Sequence, residues 1–210
     1  MPTESAAKAW SLVRDPSHFQ WYVIPLLLMV FYVYANEVER RNWSAILAGL
    51  TFFGLDWINE IANGLLFHFN GYAPAWATPG DSAYVILVGL NIEITFMFAI
   101  FGIMWVKQLP PDKDTKILGV PNRLFVGVVG ALLCVFIEYL LNGIGALTWD
   151  LPWWNRDVPW LIFLLGYFYW FVVGFWVYDT PKMSTKLAAV GSIYAVVIGS
   201  LAVFIPLGWI

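Results

Sequence analysis

Long apolar stretches are the feature that most constrains how this chain folds. Hydrophobic residues make up 60% of its 210 residues and charged residues only 12%, whereas soluble domains carry about 25% charged residues. A stretch of about 20 apolar residues is long enough to cross the hydrocarbon core of a bilayer as a helix. The sequence therefore predicts an all-α, polytopic membrane protein.

The apolar stretches predict about six transmembrane helices in one bundle. Each is expected to be helical because lipid offers no hydrogen-bond partner to an exposed backbone amide. The predicted spans are Trp21 to Ala35, Ser44 to Phe67, Ala83 to Val106, Leu124 to Leu147, Pro159 to Tyr178 and Leu187 to Leu207. We expect one transmembrane domain over residues 19–210, preceded over residues 1–18 by a retained N-terminal segment that is either interfacial or disordered.

The positions of Lys and Arg predict the orientation of the bundle. Positive residues are retained preferentially on the cytoplasmic side of a membrane. Of the 11 basic residues, all but Lys8, Arg14 and Arg156 fall in the first, third and fifth loops between the predicted spans. Both termini are therefore expected to face outward, and we expect the protein in the cytoplasmic membrane of a bacterium.

Four carboxylates, Asp56, Glu60, Glu93 and Glu138, lie inside these apolar stretches, and no Lys or Arg occurs between Asn42 and Val106. A charged side chain near the bilayer centre costs about 2.5 to 3.5 kcal/mol even on a lenient insertion scale. Carboxylates retained at that cost indicate a functional site. We predict Glu60 and Glu138 as an acid pair that face each other, with Asp56 and Glu93 near the middle of their spans.

The spacing of the polar residues places several of them on common helix faces. Asp56, Glu60 and Asn63 follow a spacing of four and then three residues, and Glu138 and Asn142 are four apart, so each set shares one face. Candidate substrate-binding residues are the asparagines and aromatic residues near these acids. They are Asn59, Asn63, Asn142, Trp57, Trp76, Trp153, Tyr167 and Trp170.

Two loops rich in tryptophan and proline, residues 68–82 and 149–159, follow the acidic helices. Tryptophan at a membrane interface commonly serves as an anchoring belt. The same loops lie at the predicted outer ends of the acidic helices, so a lid over a polar cavity is the alternative interpretation.

A weak internal similarity relates the two acidic helices. The segment Trp57-Ile-Asn-Glu-Ile-Ala-Asn63-Gly64 matches Phe136-Ile-Glu-Tyr-Leu-Leu-Asn142-Gly143. Both copies run from helix to Trp/Pro loop to helix, in the same direction, so a duplication would be parallel rather than inverted. Duplication and chance similarity both stay open.

Carboxyl groups in an apolar cavity suggest acid–base chemistry. Burial disfavours the ionised form, so one acid can donate a proton to an alkene, epoxide or dienol while an ionised partner removes one. Electron-rich rings can stabilise an intermediate cation, and Phe163, Tyr167, Trp170 and Phe171 form an aromatic stripe in the fifth span. Ordinary core packing also explains such a stripe.

Short-looped apolar helices, the Trp57-Ile-Asn-Glu60 acid motif, a second buried acid at Glu138 and many aromatic residues resemble the small intramembrane terpene and carotenoid cyclases. They resemble the emopamil-binding sterol isomerase group more loosely. The resemblance covers spans two to five, and the Pro-x-Glu-Glu/Asp pattern of heterodimeric-type lycopene cyclases is absent. It implies cyclisation, isomerisation or hydration of an isoprenoid or sterol-like lipid, started by an acid, with Glu60 and Glu138 as the acid pair.

Two other classes of function are compatible with the same residues. Buried acids can line a path for protons or cations, and carboxylates and asparagines can simply hydrogen-bond across a bundle in a lipid-binding or complex-assembly subunit. We predict no cofactor and no metal, because paired Glu-x-x-His motifs are absent and the two histidines, His18 and His68, lie at the rim. The net charge of −3 gives no reason to expect nucleic-acid binding. The expected partners are the membrane and a hydrophobic small molecule or lipid, and nothing in the sequence indicates an oligomeric state.

Overall fold

The chain folds mainly into helices, and the computed structural model describes all 210 residues. The helices are α1 (Glu4–Leu12), α2 (Val23–Glu39), α3 (Trp43–Asn70), α4 (Ile92–Val106), α5 (Asn122–Gly143), α6 (Pro159–Leu161), α7 (Tyr169–Asp179) and α8 (Met183–Phe204), with a 3-10 turn at Pro16–His18. A π-helical segment, Ile162–Phe168, joins α6 to α7. Residues Pro159–Asp179 thus form one continuous helix of 21 residues.

Four of these helices are long and apolar enough to cross a membrane, namely α3, α5, Pro159–Asp179 and α8. They agree with four of the predicted spans. The other two predicted spans contain shorter helices, because α2 has 17 residues and α4 has 15. At about 1.5 Å per residue, α4 is about 22 Å long, which is less than the roughly 30 Å of the hydrocarbon core.

The predicted third span was wrong in its first nine residues, which form a β-hairpin instead of a helix. Strands β1 (Val85–Leu87) and β2 (Leu90–Asn91) pair in antiparallel fashion. The Asn91 side chain then caps α4 by accepting a hydrogen bond from the backbone N–H of Ile94 at 2.9 Å. Hydropathy could not separate hairpin from helix because Leu87 and Leu90 are both buried, in a cluster that includes Ile61 of α3 and Val197 of α8. Glu93 therefore lies in the first turn of α4 and not near its middle.

A second hairpin comes directly before α5. Strands β3 (Lys116–Ile117) and β4 (Val120–Pro121) pair in antiparallel fashion. The side chain of Asn122, which is fully buried, donates hydrogen bonds to the backbone carbonyls of Asp112, Lys113 and Thr115. An asparagine thus ends the first hairpin and caps α4, whereas Asn122 follows the second hairpin and ties the preceding loop to the start of α5.

Helix α3 is the centre of the bundle and packs against α2, α4, α7 and α8. Phe52 of α3 is fully buried and fits between glycines of two neighbouring helices. A Cβ atom built on Gly174 would lie 2.1 Å from the Phe52 ring, and one built on Gly102 would lie 2.8 Å from Phe52 Cβ. The ring also meets Phe171 edge to face, with centroids 5.2 Å apart.

The two ends of the bundle differ in chemistry. At one end, which we call the basic end, Lys107 pairs with the buried Glu37 at 2.5 Å, and Arg123 donates two hydrogen bonds of 3.0 Å to Asp179. At the other, the loop end, lie the two Trp/Pro loops and α1. This division matches the uneven distribution of Lys and Arg along the sequence.

Helix α1 is ordered and packs on the loop end. Ala6 and Ala9 are fully buried, and Trp10 contacts Phe67 of α3 edge to face at 5.8 Å. Thr3 and Ser5 both donate hydrogen bonds to the carboxylate of Asp150 in the second Trp/Pro loop. Residues 1–12 therefore belong to the folded structure and cover part of the loop end.

We predict that Gly174→Ala destabilises the protein because the new methyl group would overlap the ring of Phe52. Overpacking of this kind costs about 1–3 kcal/mol. Gly191→Ala is the matched control, since a Cβ at Gly191 of α8 has no atom within 4 Å. Thermal unfolding in detergent measures both. Equal melting temperatures for the two variants would contradict the packing described for Phe52.

Candidate functional site

A cavity lies between α3, α4, α5 and the π-helical segment, beneath the Trp/Pro loops. Three carboxylates line it: Asp56 and Glu60 from α3 and Glu138 from α5. We call it the acidic cavity. Its volume is about 70 Å³, which is room for several water molecules or one small polar group.

The helical register brings the three carboxylates together. Asp56 and Glu60 are one turn apart on the same face of α3, and Glu138 approaches Glu60 closely enough for the two acids to interact electrostatically. The predicted acid pair, Glu60 and Glu138, thus lines a single cavity. Asp56 is a third member of the same cluster.

Each glutamate accepts one hydrogen bond from an aromatic side chain. The indole N–H of Trp76 donates to Glu60 Oε1 at 2.9 Å, and the hydroxyl of Tyr167 donates to Glu138 Oε1 at 2.6 Å. The second oxygen of each carboxylate, Oε2, is buried without a partner in the protein, and so is Oδ2 of Asp56. Three acceptors are therefore available to whatever occupies the acidic cavity.

No Lys, Arg or His lines the acidic cavity. Neighbouring carboxylates in an apolar site repel each other when both are ionised, and no cation is present there to offset this. Simultaneous ionisation of all three acids is therefore disfavoured. A site of this composition can both donate and accept protons.

Two exposed lining residues indicate that the acidic cavity opens sideways between α4 and α5. Met97 of α4 and Ile137 of α5 line it, and their exposed fractions are 42% and 38%. These two helices form opposite walls without packing closely against each other, whereas α3 contacts α4 and the π segment contacts α5. The opening lies among apolar side chains that face outward from the bundle, so an apolar molecule could reach the acids from the side.

Aromatic packing closes the acidic cavity toward the basic end. Phe171 meets Phe52, Phe101 and Trp105 edge to face, with centroids between 5.2 and 5.8 Å apart. Phe175 continues this layer. The polar cluster therefore does not continue through the bundle to the basic end.

The Trp/Pro loops close the acidic cavity at the loop end. Asn63 of α3 holds the first loop, because its amide donates to the carbonyl of Trp76 at 2.7 Å and its oxygen accepts from the backbone N–H of Ala75 at 2.7 Å. Ala77 and Thr148 pair their backbones and so join the two loops.

The second loop is held in a similar way by α5. The side-chain amide of Asn142 donates to the carbonyl of Leu147 at 3.1 Å, and its oxygen accepts from Arg156 Nε at 2.8 Å. Trp154 of this loop packs against Trp76 of the first loop, with ring centroids 5.6 Å apart. The loops thus cover the acids, as expected of a lid.

The π-helical segment shapes the wall opposite α3. A π turn widens the helix and displaces backbone groups, and such turns occur frequently at functional sites. Asn59 donates to the carbonyls of Leu165 and Gly166 at 3.3 and 3.1 Å, and its side-chain oxygen accepts a hydrogen bond from Tyr169 at 2.6 Å. This arrangement ties α3 to the segment that presents Tyr167 to Glu138.

The predicted substrate-binding residues divide into three groups. Asn59, Trp76, Tyr167 and Trp170 line the acidic cavity, and Asn63 and Asn142 hold the loops. Trp57 and Trp153 lie outside the cavity wall, since Trp57 packs against Phe53 and Trp153 has 45% of its surface exposed.

Glu93, a fourth candidate acid, also lies outside the acidic cavity. It accepts hydrogen bonds from Tyr22 at 2.5 Å, from Ser82 at 2.6 Å and from the backbone of Ala83 at 2.8 Å. These bonds join α2, the first loop and α4, so the contacts of Glu93 are those of a structural tie.

The cavity wall also contains Trp154, Cys134 and the π-helical segment, which were not among the residues predicted for the site. Trp154 belongs to the loop already singled out for its tryptophans. The π segment has no comparable sequence signal, although Gly166 within a long aromatic helix marks its position.

Comparison with known proteins matches nearly the whole chain to one protein family. Residues 3–206 match the model of a family described as an uncharacterized membrane protein family. A protein of Archaeoglobus fulgidus, described as uncharacterized, is 48% identical over 204 residues, which are 97% of each chain. No solved structure matches.

We predict that Asn63→Ala loosens the first loop, because it leaves the backbone groups of Ala75 and Trp76 without their partner. Leaving buried polar groups unpaired costs about 1–3 kcal/mol each. The melting temperature is expected to fall, and Trp76 to become more accessible to acrylamide quenching. Asn36→Ala, which removes one exposed hydrogen bond to Tyr32, is the control. Unchanged quenching in Asn63→Ala would contradict the proposal that Asn63 holds the first loop in place.

Proposed function

We propose that this chain, which belongs to an uncharacterized membrane protein family, uses its acidic cavity for acid–base chemistry on a lipid within the membrane. One observation carries the proposal. Asp56, Glu60 and Glu138 line a site with no cation, one oxygen of each is buried without a partner in the protein, and we infer that this site opens sideways between α4 and α5. Such a site offers both a proton donor and a proton acceptor to a molecule that arrives from lipid.

The proposed chemistry is a paired proton transfer. A protonated carboxyl donates its proton to one carbon of a double bond, and a carbocation forms on the other carbon. A carboxylate then removes a proton from a carbon next to the cation, and a double bond forms there. The net result is an isomerisation, or a cyclisation if a second double bond attacks the cation first. No oxidant or reductant is consumed.

The hydrogen bonds suggest how the three acids divide this work. Asp56 accepts no hydrogen bond from the protein that would stabilise its carboxylate, so we assign the proton to Asp56. Glu60 and Glu138 each accept one bond and are assigned as bases. Trp76, Tyr167 and Trp170 provide aromatic rings that would stabilise a cation beside them. An isoprenoid or sterol-like lipid is the substrate class that fits this chemistry.

We extend the proposal to the arrangement in the membrane. In this arrangement α2 and α4 cross the membrane together with the four longer helices, and the basic end faces the cytoplasm, which leaves both termini outside. The archaeal relative gives no support to a specifically bacterial source.

A parallel duplication is also part of the proposal. The matched residues Asn63 and Asn142 each bind the loop that follows their own helix. If the two helix–loop units arose by duplication, both copies would be expected to keep this contact between the asparagine and its loop.

Proton or cation translocation fits the structure less well, because the aromatic layer around Phe52 and Phe171 separates the acids from the basic end. A lipid-binding subunit without catalysis would use the same cavity. The two remaining functions differ in one respect: only an enzyme changes the mass or the double-bond position of the lipid that it binds.

Mass spectrometry of the organic extract from purified protein tests this difference. Wild type, Glu60→Gln and the control Glu39→Gln, which makes the same change at an exposed position, are extracted in mild detergent. We expect an enriched isoprenoid or sterol-like lipid whose mass or chromatographic position differs between Glu60→Gln and the other two. Bulk phospholipid alone in all three samples would contradict the proposal.

We further predict that Glu138→Gln lowers turnover of the identified lipid by at least about 100-fold, because general acid–base catalysis commonly contributes that much. The glutamine can still accept the hydrogen bond from Tyr167, so the melting temperature is expected to stay within a few degrees of wild type. Glu39→Gln again serves as the control. A large loss of stability without a specific loss of turnover would show that Glu138 is structural.

A further inference from the structure

One indole N–H group in the wall of the acidic cavity lacks a partner. Trp154 lines the cavity, and its Nε1 atom is buried without a hydrogen bond to the protein. Buried polar groups in native proteins are almost always paired. The cavity wall therefore combines an unpaired donor, the indole of Trp154, with unpaired acceptors, the carboxylates of Asp56, Glu60 and Glu138.

This mixture of donors and acceptors is informative about the occupant. A hydroxyl group can donate to a carboxylate and accept from an indole at the same time, and a carbonyl oxygen can accept from an indole or from a protonated acid. A pure hydrocarbon would leave every one of these groups unpaired. The walls therefore favour a lipid with an oxygen function over one without it.

The charge of the acidic cavity excludes another class of lipid. A phosphate or diphosphate head group is normally bound by Arg, Lys, a metal ion or a row of backbone N–H groups. None of the cationic residues lines this cavity, and the three carboxylates would repel an anion. The oxygen function is therefore uncharged.

The size of the acidic cavity limits how much of the lipid enters it. Its volume of about 70 Å³ is well below the roughly 300 Å³ of the smallest pockets that enclose a drug-sized ligand. Only the polar end can lie inside. The opening between Met97 and Ile137 leads outward through apolar side chains, which suits a hydrocarbon chain.

We propose that the acidic cavity binds the hydroxyl or carbonyl end of a neutral isoprenoid-type lipid, with the chain leaving between α4 and α5. This inference rests on the proposed function, because it names the substrate class of the same site. It adds a selection rule: the alcohol or ketone binds, whereas the phosphate ester and the hydrocarbon of the same chain do not.

Three probes that share the same hydrocarbon chain test this selection rule. Purified protein in nanodiscs is titrated with radiolabelled farnesol, farnesyl phosphate and farnesene, and bound ligand is measured at equilibrium. We expect farnesol to bind at least about 10-fold more tightly than either of the others. Equal or tighter binding of farnesyl phosphate or farnesene, or no binding of farnesol, would overturn the inference.

Two variants locate the contact. Trp154→Phe keeps an aromatic ring but removes the indole N–H, so farnesol affinity is expected to fall about 5-fold while the weak binding of farnesene stays unchanged. Trp153→Phe makes the same substitution at an exposed position outside the cavity and is the control. Equal farnesol affinity in Trp154→Phe, Trp153→Phe and wild type would show that the indole does not bind the oxygen.

Binding and turnover separate the two proposals. If farnesol binds as expected but neither it nor any lipid extracted with the protein is converted, the selection rule stands and the proposed catalysis fails. If a phosphate ester or a hydrocarbon is converted in a manner that depends on Glu138, the catalysis stands and the selection rule fails.

Discussion

Helix α3 packs against four other helices through small residues, because lipid supplies no hydrophobic force to drive helices together and close van der Waals contact must do so instead. A Cβ atom at Gly49 would lie 2.6 Å from Ile103 of α4, and one at Gly54 would lie 2.5 Å from Ile193 of α8. The insertion of Phe52 between Gly102 and Gly174 belongs to the same set of contacts. These contacts set the position of α3, and with it the positions of Asp56 and Glu60.

The acidic cavity lies where the close packing of α3 against its neighbouring helices ends. Toward the basic end, aromatic rings around Phe171 fill the space between the helices. Toward the loop end, Trp76 and Trp154 of the Trp/Pro loops cover the cavity. The carboxylates lie at this transition, where they are shielded from water by Trp76 and Trp154 but still reachable from the side. Apolar surroundings without a cation are what allow a carboxyl group to retain a proton.

The sequence predicted some parts of this arrangement well. The apolar stretches located α3, α5, Pro159–Asp179 and α8, because a run of about 20 apolar residues has few other stable uses. Helical spacing correctly placed Asp56, Glu60 and Asn63 on one face. The same reasoning was wrong for Ala83–Asn91, because a buried hairpin and a membrane helix are equally apolar. It also misplaced Glu93, since the depth of that residue was counted from the wrong start of the helix.

By itself, the sequence determined four of the long apolar helices and which of them carry acids, since both follow from local composition and periodicity. Only the tertiary structure decided that Asp56, Glu60 and Glu138 share one cavity while Glu93 does not. The reason is that the rotation of α5 relative to α3 depends on interhelical packing, which a periodic pattern within one helix does not specify. The π-helical turn that brings Tyr167 to Glu138 likewise depends on the bonds from Asn59, a residue more than 100 positions away in the chain.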